Sequence, residues 1–329
     1  MKILVNMVSH ESKLNWFGNR WSAFQQFIED NQMDGAELIF HTDYSVEDIP
    51  HETAVGMHLK YWPTWVDFWN RDKKRLKDEF FNEENASMYY GGVSPQVLLD
   101  QYRKEMDTAS KMNVEYMVFH VADVGIKEAI RKEFYHDDRA VMDATIELVN
   151  EVFKNNRARG WLLFENLWWP GLNFMNPDAT KDFFDRISYQ KKGFMLDIGH
   201  LMLTNPNIGS LEEAGEYIHQ VLDRNKNIIK HIKGIHLNNA LDGIAFLKNV
   251  EDCEDPLEQC EREKNYWEKL SIAREYISKM DTHIPFEHDV IASVVKRIDP
   301  DYLVYEFLPK DRLEWEKMIK KQHFHLGRK

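Results

Sequence analysis

GFMLDIGH, residues 193–200, begins as a short apolar run and ends on two residue types that bind metals, Asp197 and His200. Read outward from there, the same grammar recurs along the chain. GMHL carries His58, MVFH carries His120, LLFEN carries Glu165, GIHLNN carries His236, and LVYEF carries Glu306. A DTH tripeptide, with Asp281 and His283, falls between the last two. Side chains at the C-terminal ends of parallel strands point into one shared mouth. A chain that repeatedly places His, Asp and Glu there assembles one polar site from distant segments.

The alternation around these runs is regular. Strands are expected at Ile3–Val8, Ala36–Phe40, Ala54–Leu59, Tyr116–His120, Trp161–Glu165, Gly193–Asp197, Ile232–Leu237 and Tyr302–Phe307. Between them, Trp21, Phe24, Phe27 and Ile28 recur at helical spacing. Ser94 with Pro95 predicts a helix start, Gly160 a helix end, Asp178 a cap, and Ser210 with Glu213 a capping box. A helix over Ile291–Ile298 and a closing helix over Asp311–Lys321 complete the pattern. Eight strands alternating with helices predict a parallel sheet, and eight is the count that closes a barrel. An open doubly wound sheet would gather its polar residues at one switch point. Here they follow strands three through eight. The expected fold is a (β/α)8 TIM barrel, a single domain over residues 1–329 with long loops after strands three and seven.

Bulk properties narrow the class. The net charge of −13 argues against affinity won by neutralising duplex phosphates, so duplex DNA is not the expected partner. No apolar run reaches the roughly 18 residues of a membrane span. MKILVNMV is too short an apolar start for a signal peptide and reads as the first strand. The two cysteines, Cys253 and Cys260, lie seven apart in a charged segment. Two cysteines make no disulfide framework, and a reduced, cytoplasmic setting is expected.

Each candidate ligand alone has an ordinary alternative. A single His58 or His120 is more often a satisfied core or loop residue. Glu165 and Glu306 are harder to explain that way, because each ends an apolar strand where an unpaired carboxylate is costly to bury. The set carries the argument: Glu165, Asp197, His236, Glu306, His58, His120, His200, Asp281 and His283. Nitrogen and carboxylate ligands without cysteine suit a divalent metal such as zinc, manganese, cobalt or iron. Nine ligands exceed the need of one ion. Two or three ions bridged by carboxylates would use them. Alternatively, one ion takes the two Glu, the Asp and one His, and the other histidines bind substrate.

These residues resemble the xylose isomerase-like TIM-barrel superfamily. It includes sugar and sugar-phosphate isomerases and epimerases, and the endonuclease IV type of abasic-site nuclease (AP endonuclease family 2). In the epimerase branch, the resemblance implies one ion on Glu165, Asp197, His236 and Glu306, with His200 as the histidine that follows the Asp. In the endonuclease IV branch it implies three zinc ions, with His58, His120, His200, Asp281 and His283 as the added ligands. Two segments depart from that branch. The glycine-rich stretch expected after the Asp-x-His is IPFEHD, and the expected HLND is HLNN, with Asn238 and Asn239. The insertion between His236 and Asp281 is also strongly acidic (EDCEDPLEQCERE), a poor surface for a phosphate backbone.

Two loops bear on substrate. YWPTWVDFW (Tyr61–Trp69) and LWWPG (Leu167–Gly171) would overhang the mouth. Trp62, Trp65, Trp168 and Trp169 could stack on a sugar, or pack as a lid or as the interface of a homo-oligomer. RDKKRLKDE (Arg71–Glu79) reads as a solvated helical face. The reading favoured on sequence is an isomerase or epimerase of a small, carbohydrate-like substrate. Metal would stabilise an enediolate, Glu165 and Glu306 would move the proton, His200 would orient an oxygen, and Asn238 would bind substrate. The alternative is polynuclear hydrolysis of a phosphoester. A non-catalytic binding protein on a retained barrel would fit an incomplete ligand set better than this one.

Overall fold

Alternation with period two sorts the strand residues onto two faces, and that sorting builds the site. The computed structural model describes residues 1–40, 45–154, 159–248 and 255–328. Cys253 and the first acidic residues of the insertion lie outside the described residues. The strands are β1 (Lys2–Val8), β2 (Gly35–Ile39), β3 (Ala54–His58), β4 (Tyr116–His120), β5 (Trp161–Glu165), β6 (Lys192–Asp197), β7 (Ile232–Leu237) and β8 (Tyr302–Tyr305). They pair in parallel in sequence order, and β8 closes on β1. The expected barrel is the observed one.

Inside the barrel, Leu4, Tyr116, Val118, Leu163, Met195, Tyr302 and Val304 form one buried cluster. Two residues further along the same strands stand His120, Glu165, Asp197 and Glu306. The interior rows therefore run from apolar packing straight into the polar mouth. The intervening residues, among them Phe119, Phe164, Phe194, Leu196, Ile235 and Leu303, face outward. They pack with helix residues such as Phe24, Phe27, Phe183, Ile218 and Ile319. Gly56 allows one close approach inside the barrel. A Cβ there would overlap the Tyr116 ring, so its absence lets Tyr116 lie across β3.

Local details correct several expected boundaries. The helix after β3 runs over Gln96–Met112 with Pro95 at its cap position, and Ser94 only touches the Gln96 N–H at 3.4 Å. Asn176, not Asp178, caps Pro177–Arg186, because its side chain reaches the Ala179 N–H. Ser210 accepts from Glu213 N–H as expected, but the Glu213 carboxylate turns to Gly209 N–H instead of closing the box. The helix capped by Asp137 ends at Phe153, short of Gly160. Ser45 and Asp48 form a box that was not anticipated. The stretch after β3 is largely helical, with Val66–Trp69, Lys73–Phe80 and Glu83–Tyr90, and the insertion after β7 holds Leu241–Lys248, Pro256–Arg262 and Tyr266–Met280. No helix among the described residues is long and apolar enough to cross a membrane.

The loops after β3, β4 and β5 are tied into one rim. Asp123 Oδ1 accepts from the N–H groups of Trp65 and Val66 at 2.7 and 2.9 Å. Trp65 Nε1 donates to the Ala122 carbonyl at 2.9 Å, and Thr64 Oγ1 to the Val124 carbonyl at 2.7 Å. On the other side, Leu172 N–H donates to the Val121 carbonyl, and Ala122 bridges Gly171. Gly171 has φ of 132°, and a Cβ there would collide with the Val121 carbonyl. Gly171→Ala is therefore expected to cost about 1–3 kcal/mol through backbone strain and steric overlap. Urea unfolding followed by tryptophan fluorescence measures it, and an unchanged midpoint would mean that the rim has slack.

Candidate metal centre at the barrel mouth

Glu165 ends β5 with no solvent exposure, and its two carboxylate oxygens face two different sets of partners. Oε2 lies 3.1 Å from His58 Nε2 and 3.4 Å from His120 Nε2. Oε1 lies 3.3 Å from His236 Nδ1. That same nitrogen is 3.2 Å from Glu306 Oε2 and 3.9 Å from Asp197 Oδ2. Asp281 Oδ2 lies 3.0 Å from His283 Nε2 and 3.4 Å from His200 Nε2. Three groups are made wholly of residues named from the sequence: His58, His120 and Glu165; Glu165, Asp197, His236 and Glu306; and His200, Asp281 and His283. Within each, the candidate ligand atoms lie within 4.8 Å of one another. All nine residues singled out from sequence thus gather at one mouth.

Two observations test whether these residues suit a metal. The first is orphaned polarity. Glu165 Oε1, His236 Nδ1 and Glu306 Oε2 are buried without a hydrogen-bond partner, although they crowd together. Buried polar atoms are almost always satisfied, so converging orphans mark a place for a ligand. The second is how the rings are held. His58 Nδ1 faces the Leu59 carbonyl at 3.3 Å, His200 Nδ1 the Asn166 carbonyl at 2.9 Å, and His283 Nδ1 the Glu306 carbonyl at 3.1 Å. In each ring the other nitrogen faces the cluster, which is how ligating histidines are oriented. The residues fit divalent metal.

The electrostatics agree. Burial opposes charge on His58, but Glu165 and Glu37 carry its pKa up to about 9. Burial likewise opposes charge on His283, and Asp281 with Glu306 carries it up to about 10. His236 and His200 are held well above the ordinary histidine value against the same burial, by Glu306, Glu37 and Glu165 for the first and Asp197 and Asp281 for the second. Burial wins at His120, which falls to about 3, and at Glu306, which rises to about 7. Burial would also raise Glu165 and Asp281, yet the surrounding histidines hold both below the usual carboxylate range. Without metal, protons on histidine balance the buried carboxylates.

Neighbouring residues hold the groups in place. Asn166 Oδ1 accepts from Asp197 N–H at 2.9 Å, and its Nδ2 donates to the Asp197 carbonyl. Asn238 Nδ2 donates to Asp197 Oδ2 at 2.8 Å and braces that carboxylate, while its Oδ1 has no hydrogen-bond partner. Trp62, Trp65 and Trp169 are buried within the rim, because their indoles fill the space between the loops. Trp168 is half-buried, and its ring centroid lies 5.1 Å from His200. Tyr61 stacks on His120 at 4.3 Å. The sequence reading missed Tyr61, Asn166 and Glu37. The signal for Glu37 was present: a carboxylate in AELIF sits inside an apolar strand.

The chain matches the family described as a xylose isomerase-like TIM barrel over residues 92–305. No curated protein matches it at significant similarity. Among solved structures it is similar to endonuclease IV from Thermus thermophilus (11% identity, 99% of each chain covered, TM-score 0.53). It is similar to the IolI protein with a bound zinc atom (13% identity, 99% of this chain and 96% of that one, TM-score 0.53). It is also similar to D-psicose 3-epimerase in the presence of D-fructose (12% identity, 99% of this chain and 97% of that one, TM-score 0.52). At these identities the likeness is one of fold.

Because His58 and His283 hold protons up to about pH 9 and 10, metal uptake at neutral pH must displace them. Zinc titrations in buffers of different ionisation enthalpy are expected to report proton release near pH 7. Apparent affinity should rise steadily with pH until both histidines are deprotonated. Affinity that is flat from pH 6 to 10 would contradict the protonation pattern.

Proposed function

The chain belongs to the xylose isomerase-like TIM-barrel family, and on that premise we propose that it is a metal-dependent hydrolase of small phosphoesters with a polynuclear centre built around Glu165. The observation that carries this reading is the division of the Glu165 carboxylate between two ligand groups, with a third complete group beside them. A mononuclear enzyme would have to give His58, His120, Asp281 and His283 to the substrate, whereas a polynuclear one uses them as ligands. Divalent ions held by these groups, whether zinc, manganese, cobalt or iron, would supply Lewis acidity towards phosphoryl, attacking and departing oxygens.

The protein's own residues do the rest. Glu165, buried and rigid at the end of β5, sets the spacing between the first two groups. Asn166 and Asn238 fix Asp197, so the second group is formed before any substrate arrives. Tyr61 and Trp168 line the mouth beside His120 and His200 and narrow the access of bulk water. A small substrate suits this setting better than duplex DNA, since a chain of net charge −13 repels an extended phosphate backbone.

A second reading, isomerisation or epimerisation of a small sugar or sugar phosphate, draws on one specific observation. Glu165 and Glu306 flank the same His236 nitrogen with opposite proton preferences. Surrounding histidines keep Glu165 ionised despite its burial, while burial lifts Glu306 to about 7. That is the arrangement of a base and an acid on either side of a carbon next to a carbonyl. Trp168 would then offer its face to the sugar.

Metal analysis and two assays separate the readings. The hydrolase reading expects three ions per chain and release of p-nitrophenol from bis-p-nitrophenyl phosphate. It expects Glu165→Gln to lower that rate about a hundredfold or more while emptying two of the groups. One ion per chain, with deuterium from solvent entering a ketose beside its carbonyl, would instead establish the isomerase. A chain purified without chelator that holds no divalent metal would sink both.

A further inference from the structure

His236 differs from its neighbours in what holds it. The other anchored histidines of the centre lean on backbone carbonyls, whereas His236 Nε2 faces a carboxylate from across the barrel. Glu37 of β2 places both of its oxygens 3.0 and 3.1 Å from that nitrogen. Glu37 is 1% exposed, His236 is fully buried, and the two are 199 residues apart in sequence. Below them, Tyr116 donates its hydroxyl to Glu37 Oε2 at 2.8 Å. Tyr116 reaches that point because Gly56 leaves room for its ring. The result is a three-membered chain, Tyr116–Glu37–His236, beneath the mouth and inside the barrel wall.

Glu37 also lies within reach of His58, and Glu37, His58 and His236 are close enough to be counted as a ligand group of their own. Hydrogen bonding argues for a different role. Both Glu37 oxygens already face the His236 N–H, and one also accepts from Tyr116. An ion on Glu37 would have to displace that N–H, and it would find His236 Nδ1 on the far side of the ring, turned toward Glu165 and Glu306. A carboxylate that accepts from one ring nitrogen fixes the tautomer, aims the other nitrogen and makes it a stronger ligand.

We propose that Glu37 is a positioning residue for the metal centre: held by Tyr116, it keeps the proton of His236 on Nε2 and so presents Nδ1 as a ligand beside Glu165, Asp197 and Glu306. This rests on the metal reading above, but adds a residue outside the ligand set. It also explains a buried carboxylate in the middle of an apolar strand that neither barrel packing nor the proposed chemistry requires.

The test uses the full-length chain, with cobalt as a spectroscopic probe and nuclear magnetic resonance of nitrogen-labelled histidine. In the wild type without metal, His236 should give a slowly exchanging Nε2–H resonance, shifted downfield by the carboxylate. Glu37→Gln should move that resonance upfield and speed its exchange. The same variant should weaken cobalt binding at the group containing His236 by about tenfold to a hundredfold, the range seen when such outer partners are lost. Tyr116→Phe, a milder change that retains Glu37, should weaken it several-fold, and it provides the reading if Glu37→Gln fails to fold. A purely structural role would lower the thermal midpoint of the metal-free protein while leaving cobalt affinity intact, and that result overturns the proposal. So does a wild-type His236 with no protected Nε2–H. If the wild type takes up no cobalt, the metal reading falls, while the resonance still decides whether Glu37 fixes the ring.

Discussion

A carboxylate with no contact with solvent obliges its surroundings to supply positive charge, and Glu165 is that carboxylate. Its burial follows from strand parity. The interior row of β5 reaches the mouth one step after Leu163, so the residue there must be inside the barrel. Transfer of a lone ionised group to such a place is prohibitive. Strands β3, β4 and β7 answer with His58, His120 and His236, and the helix after β6 with His200, each within 3.4 Å of one of its oxygens. His58 leans in turn on the Leu59 carbonyl and His236 on the carboxylate of Glu37, while Tyr61 stacks on the ring of His120. Much of the polar architecture of the mouth can be traced outward from that one buried group.

The sequence was legible where a strand ended in a residue that barrel packing cannot use. Glu165, Asp197, His236 and Glu306 were visible because each interrupts an apolar run at its C-terminal end, and the closed barrel brings them together. Asp281 and His283 were visible only as a spacing, and the loop that delivers them could not be traced from composition. Glu37 went unread because it lies within its strand and not at the end, where the search for mouth residues was directed. The tryptophans were read by type, with stacking on a sugar and packing as a lid or interface both left open. Trp62 and Trp65 are both buried: Asp123 ties Trp65 and Val66 N–H to the neighbouring loop, and Trp62 packs edge-on to Tyr102. Long-range hydrogen bonds of that kind leave no local signature.

The rim made by the loops after β3, β4 and β5 gives the mouth a rigid wall on one side. Its ties are backbone N–H and carbonyl groups paired across loops, reinforced by Trp65, Thr64 and Asp123. Groups fixed in this way lose little freedom when a ligand binds, and substrate affinity is not spent on ordering them. Family membership is consistent with this division of labour: the barrel supplies a common set of strand ends, and the loops set what reaches them.

The pairing of Glu37 with His236 joins strands 199 residues apart, and that of His58 with Glu165 joins strands 107 apart. Contacts of such separation form late, after most of the chain-closure entropy has been lost. The group of Glu165, Asp197, His236 and Glu306 is complete only once β8 has joined β5, β6 and β7. A cation bound by that group would select forms in which β8 is in place, and its binding free energy would add to their stability. The centre would then act as a check on the chain's own folding, since the four-residue ligand group is whole only when the last strand has docked.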